Sequence, residues 1–149
     1  MEAKKRKTPP KEEAHTLEDL TRCTYLHLST VLDGLPYGVP VRHLLLGKTV
    51  YFHGGDNGKL DGLLSGNPEI CLSAVLEQQL EETDHCLSLV TIQAFGTVEE
   101  VVKPEEYRQA LFGLYVSHAN PDNKEEAWIF SRNETWTVYK MKIDSLRSF

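Results

Sequence analysis

Several things are scarce in this sequence, and each scarcity narrows what the chain can do. There is no basic excess: 16 lysines and arginines stand against 22 aspartates and glutamates, a net charge of −6. Nucleic-acid binding draws on a positive field that displaces counterions from phosphates, so it is not the expected role. No apolar run reaches the roughly 18 residues of a membrane-spanning helix. The first residues carry lysines but no apolar core, so no signal peptide is expected, and the expected location is cytoplasmic. Cysteine is limited to Cys23, Cys71 and Cys86. An odd count fits reduced thiols, and no CxxC or Cys/His spacing suits zinc, so no metal site is expected. No Ser-His-Asp set or converging carboxylate pair stands out either.

What remains fits one domain. The 149 residues are 40% apolar, and a chain of that size buries about 70% of its unfolded surface. Residues 1–14 are polar, with Lys4-Lys5-Arg6-Lys7 followed by Glu12 and Glu13. They are expected to form a mobile tail, and residues 15–149 a single domain. Thr16 reads as an N-cap for a short helix ending near Arg22, with Leu17 and Leu20 inward. Cys23 to Leu32 alternates as a strand, and His27 on it reads as a satisfied barrel histidine. Asp33-Gly34 is a hairpin turn leading into Tyr37 to Leu46.

The chain is organised around the next stretch. Gly47-Lys48 turns the chain into Thr49 to His53. Then comes Gly54-Gly55-Asp56-Asn57-Gly58, whose glycines allow close backbone approach to a ligand. Lys59 follows at the start of a helical pattern with Leu60, Leu63 and Leu64 on one face. Free N–H groups, a helix dipole and an ammonium converge there, which suits a phosphate. The Walker spacing is absent, so this is not a P-loop. Arg42 and His43 are adjacent on a strand, so either can face a ligand while the other faces the core or a neighbour.

Further on, Gly66-Asn67-Pro68 stops the helix, and Glu69 to Leu76 reads as a buried strand. Glu77 to Asp84 reads as an exposed acidic loop. His85 to Val102 is a long strand with a bulge or bend at Gly96. Lys103-Pro104 opens a helix with Tyr107, Ala110, Leu111 and Leu114 inward. Glu125 to Phe130 reads as a second short helix, and Glu134 to Ile143 as the last strand. Six strands without βαβ alternation predict a mainly β fold, a closed or partly closed antiparallel barrel with peripheral helices.

The runs P-Y-G-V-P-V, Y-F-H-G, G-K-L-D and N-P-E-I-C, in this order, resemble the pyridoxamine 5'-phosphate oxidase-like split β-barrel proteins, nearest to the nitroimidazole-resistance (NimA-like) branch. The resemblance extends from Leu17 to Asp144, more loosely after Cys71. It implies a six-stranded antiparallel split barrel and a homodimer with flavin mononucleotide (FMN) at its interface. By position it implies that Arg42, His53, Gly54 and Lys59, with Leu60 beside it, hold the phosphate and ribityl end. Val41, Arg42 and His43 would run along the isoalloxazine edge. Thr91 falls where the NimA-like branch has a serine, near the flavin. Trp128 either caps the flavin ring or packs.

Arg42-His43-Leu44-Leu45-Leu46 comes closer to the R-x-V-x-L pattern of the true oxidases. The chain end, Lys140 to Phe149, lacks their Arg-x-His substrate motif, so pyridoxamine phosphate is not the expected substrate. The implied activity is an FMN-dependent reduction of a small molecule, nitro-aromatic in class. The alternative is a non-catalytic flavin- or haem-binding dimer.

Overall fold

The computed structural model describes residues 10–53, 59–79, 87–118 and 136–148. Gly54, Trp128, the acidic run beyond Gln79 and the expected helix at Glu125 to Phe130 lie outside them. The element order is α1 (Pro10–Arg22), β1 (Leu26–Leu32), β2 (Leu35–Val41), β3 (His43–Leu46), β4 (Thr49–His53), α2 (Lys59–Gly66), β5 (Glu69–Gln79), β6 (Leu87–Glu100), α3 (Pro104–His118) and β7 (Val138–Ser148).

Seven strands pair antiparallel in one sheet, in the order β2-β1-β5-β6-β7-β4-β3. The two edge strands, β2 and β3, are consecutive in the chain and separated by Arg42 alone. Neighbouring Cα atoms are about 3.8 Å apart, so the sheet must curl until its edges nearly meet. The expected six-stranded split barrel is thus present, with the Tyr37 to Leu46 run divided in two at its seam.

Local chemistry explains the turns. Asp33 and Gly34 both have positive φ, 50° and 78°, as the two-residue hairpin between β1 and β2 requires. Gly47, at φ 62°, opens the β3–β4 turn. The β6–β7 register shifts between Phe95 and Gly96. A Cβ at Gly96 would lie 2.4 Å from the Lys142 carbonyl oxygen, so the bulge admits only glycine without backbone movement.

Several boundaries differ from expectation. Helix α1 begins at Pro10 and takes in the end of the expected tail, so Thr16 is buried mid-helix and is no N-cap. Proline suits a first helical turn, and Glu12, Glu13 and Ala14 favour helix; the Glu13 carboxylate also meets Lys48 Nζ at 2.7 Å. His27 is exposed, because β1 buries only Leu26, Leu28 and Thr30. Strand β5 is buried on one face only: Ile70, Leu72 and Ala74 point in, while Val75 is exposed.

The main core fills the barrel with Leu26, Leu28, Phe52, Leu72, Ile92 and Met141, closed by Leu20 of α1 and Leu60 and Leu64 of α2. A second, smaller core lies on the other side of the sheet. There Ala110 and Leu111 of α3 pack on Tyr51, Val101 and Val138.

Candidate cofactor site

The seam decides which way its residues face. Val41 ends β2 buried in the barrel. Alternation puts Arg42 outward, where it is exposed, and His43 inward, where it is buried. His43 Nε2 lies 2.9 Å from the carbonyl oxygen of Leu20. A carbonyl only accepts, so Nε2 carries the proton and donates. His43 therefore caps the last turn of α1, and Arg42 is the member of the pair that faces outside.

Register then places Arg42 among its neighbours. His43 pairs with Phe52, so one step further sets Arg42 beside His53, the last residue of β4. On the other side Leu26 pairs with Val41, which sets Arg42 beside Tyr25. Val75 pairs with Thr91 two strands away. The same outward face carries a row paired across five strands: Pro40, His27, Ser73, Gln93 and Arg147. Arg42, His53 and Thr91 thus share the outer face of the barrel, with Arg42 at its seam. Tyr25 and Val75 stand between Arg42 and Thr91, 51% and 58% exposed.

The other sequence candidates fall differently. Leu60 is buried in the main core, so its side chain serves packing. Lys59 opens α2; its side chain and Gly54 lie outside the described detail, as does Trp128. Sequence reasoning missed Trp136, whose ring stands edge to face with His53 at 4.4 Å between centroids. It also missed Tyr25, which precedes β1 and packs edge to face with His27 at 5.5 Å. Nothing local marks either as a site neighbour, since both depend on strand pairing.

An open groove of about 620 Å³ continues the outward face toward the β1–β2 turn, between Ser29, Gly38, Cys71 and Phe95. Arg147 lies over the Phe95 ring at 5.2 Å. Burial raises the Cys71 thiol pKa, with Arg147 pulling it back in part. Cys71 is thus held as the thiol near neutral pH, and a thiolate nucleophile is not what the groove offers.

A family described as pyridoxamine 5'-phosphate oxidase matches residues 10–146. The chain belongs to the pyridoxamine 5'-phosphate oxidase family. Solved structures with the same fold bear different names. A candidate 5-nitroimidazole antibiotic resistance protein of Bacteroides thetaiotaomicron is 22% identical, with a TM-score of 0.70 over 95% of this chain and 84% of the other. An FAD-binding protein of Mesorhizobium loti is 16% identical, with a TM-score of 0.63 over 95% and 94%. The haem storage protein of Vibrio cholerae is 12% identical, with a TM-score of 0.63 over 94% and 92%. No curated protein matches the chain. Membership of this family accounts for the split barrel, and no helix among the described residues is long and apolar enough to cross a membrane.

Proposed function

We propose that this member of the family is an FMN-binding oxidoreductase that reduces a small substrate of the nitro-aromatic class, as a homodimer with flavin at the interface. The observation that carries this reading is the outward row at the seam. It sets the exposed Arg42 beside His53, and sets apolar Tyr25 and Val75 on its other side. Such a surface fits FMN: a cation for the phosphate, strand backbone for the ring edge, apolar side chains for the ring face. When bound, FMN supplies the electron or hydride transfer. This chain's residues would bind and orient it, Arg42 and Lys59 at the phosphate, Val41 to His43 along the ring, and Thr91 near it.

The row is open on its outer side. Tyr25, Val31, Val75 and Leu89 all face outward, about half exposed or more. A second copy laid on this face would exclude water from the cofactor, which supports the dimer. The groove beside Gly38 and Phe95 leaves room for a flat substrate.

A haem-binding, non-catalytic dimer is the second reading. It is favoured by the fold shared with the Vibrio haem storage protein and by exposed His27 on the same face. The absorption spectrum of the untreated purified protein separates the two. Oxidised-flavin bands support the first, and an intense Soret band the second. A flavin-loaded protein that reduces no nitro-aromatic with NADH, NADPH or dithionite overturns the catalytic half of the proposal.

A further inference from the structure

His53 is the candidate cofactor residue whose surroundings are most fully described. It ends β4, opposite Val138 of β7. Its ring stands at 82° to the Trp136 ring, 4.4 Å between centroids. Trp136 in turn is tied to α3, because the Tyr107 hydroxyl donates to its backbone carbonyl. One residue earlier, Glu106 accepts from the Tyr51 hydroxyl at 2.9 Å and from Lys140 Nζ at 2.9 Å and 3.1 Å. Tyr51 lies two residues before His53 on the same face of β4, and Lys140 pairs with it across β7. The first turn of α3 therefore grips the end of β4 twice, once through Tyr51 and once through Trp136.

We infer that Tyr107 is a positioning residue for His53. By holding Trp136 in place it fixes the plane of the His53 imidazole at the cofactor corner, and so sharpens the preference for a ligand with a phosphate over one without. This rests on the FMN-binding reading above only for its functional consequence. The geometric part stands on the contacts alone.

Tyr107→Phe removes one hydroxyl and keeps the ring, so the fold should survive. Two readouts are needed. The first is the imidazole proton resonances of His53 in the flavin-free protein, assigned with His53→Gln; the Trp136 ring current makes them sensitive to the mutual angle. The second is the ratio of FMN to riboflavin affinity. Leu114→Val serves as a control, because it loosens α3 from a buried position outside the cluster that holds Tyr107 and Trp136.

The expected result is that Tyr107→Phe shifts the His53 resonances and lowers the FMN preference about tenfold. Leu114→Val should reduce the melting temperature and move neither. Trp136→Phe, which retains an aromatic face, should keep more of the preference than Trp136→Ala. His53 resonances unmoved by Tyr107→Phe overturn the inference, and so does an FMN preference that survives the change intact. A wild-type protein with no FMN preference would sink the proposed function instead, and the His53 resonances would then decide this inference by themselves.

Discussion

One sheet has two outer surfaces with opposite fates. Where Leu44 of β3, Tyr51 of β4 and Val138 of β7 face outward, α3 roofs them with Ala110 and Leu111. Tyr51 and Val138 are 9% and 0% exposed there, and Lys140 is neutralised by Glu106. Over β1, β5 and β6 no described helix or strand roofs the outward side chains, and Val75 and Leu89 are 58% and 59% exposed. The strand alternation is the same in both regions. What differs, among the described residues, is whether a helix lies over the outward side chains. Apolar side chains left outward in a β-sheet face point to a layer supplied from elsewhere. The seam at Arg42 lies where the roofed and unroofed surfaces meet.

The contrast can be tested by substitutions on its two sides. The largest effect is expected under the roof: Leu111→Ala leaves a cavity in the second core and should cost about 2–5 kcal/mol in denaturant unfolding. Next is the bulge that bends β6. Gly96→Ala puts a Cβ 2.4 Å from the Lys142 carbonyl, and overpacking of this kind should cost about 1–3 kcal/mol.

Smaller still is Glu106→Gln, which weakens the grip of α3 on β4 by about 1 kcal/mol. Its pH dependence has a definite sign. Hydrogen bonds from Lys140 and then Tyr51 lower the Glu106 pKa below its ordinary 4.5. Its contribution is full above pH 4.5 and is lost as pH falls through the lowered folded value. Hydrogen bonding to Glu106 raises Lys140 above its ordinary 10.5. Burial first, and then Glu106, raise Tyr51 above its ordinary 10.0. Those contributions are full below pH 10.0 and are lost as pH rises through the raised values. The stability gap between wild type and Glu106→Gln should therefore be flat across neutral pH and close at both extremes. A gap that widens in acid would break the account.

The smallest effect on the single chain is expected on the unroofed face. Val75→Glu should change monomer stability by less than about 0.5 kcal/mol. Sedimentation should nevertheless show the proposed dimer dissociating. A large loss of monomer stability would mean that this face is already covered, and the contrast would fail.

Much of this architecture was legible in the sequence, and the reason is local chemistry. Asp33-Gly34 announces a hairpin because both positions need positive φ. Gly96 announces a bulge because it interrupts a long strand pattern, and Pro104 with Tyr107, Ala110, Leu111 and Leu114 announces α3. The seam was not legible. Tyr37 to Leu46 reads as one strand, and only pairing with distant partners shows that Arg42 divides it. The inward turn of His43 is hidden for the same reason, since its partner, the Leu20 carbonyl, lies 23 residues away. The Tyr51–Glu106–Lys140 cluster joins residues 34 and 55 positions apart, beyond the reach of any local pattern.

The central claim is that the outward row at the seam holds the phosphate end of a flavin. Titration of apoprotein with FMN and with riboflavin, for wild type and Arg42→Ala, tests it most directly. A charge-assisted phosphate contact is worth roughly 1.5–3 kcal/mol, so Arg42→Ala should weaken FMN by at least about tenfold and leave riboflavin within about twofold. Equal losses for both ligands, or no loss for either, would contradict it.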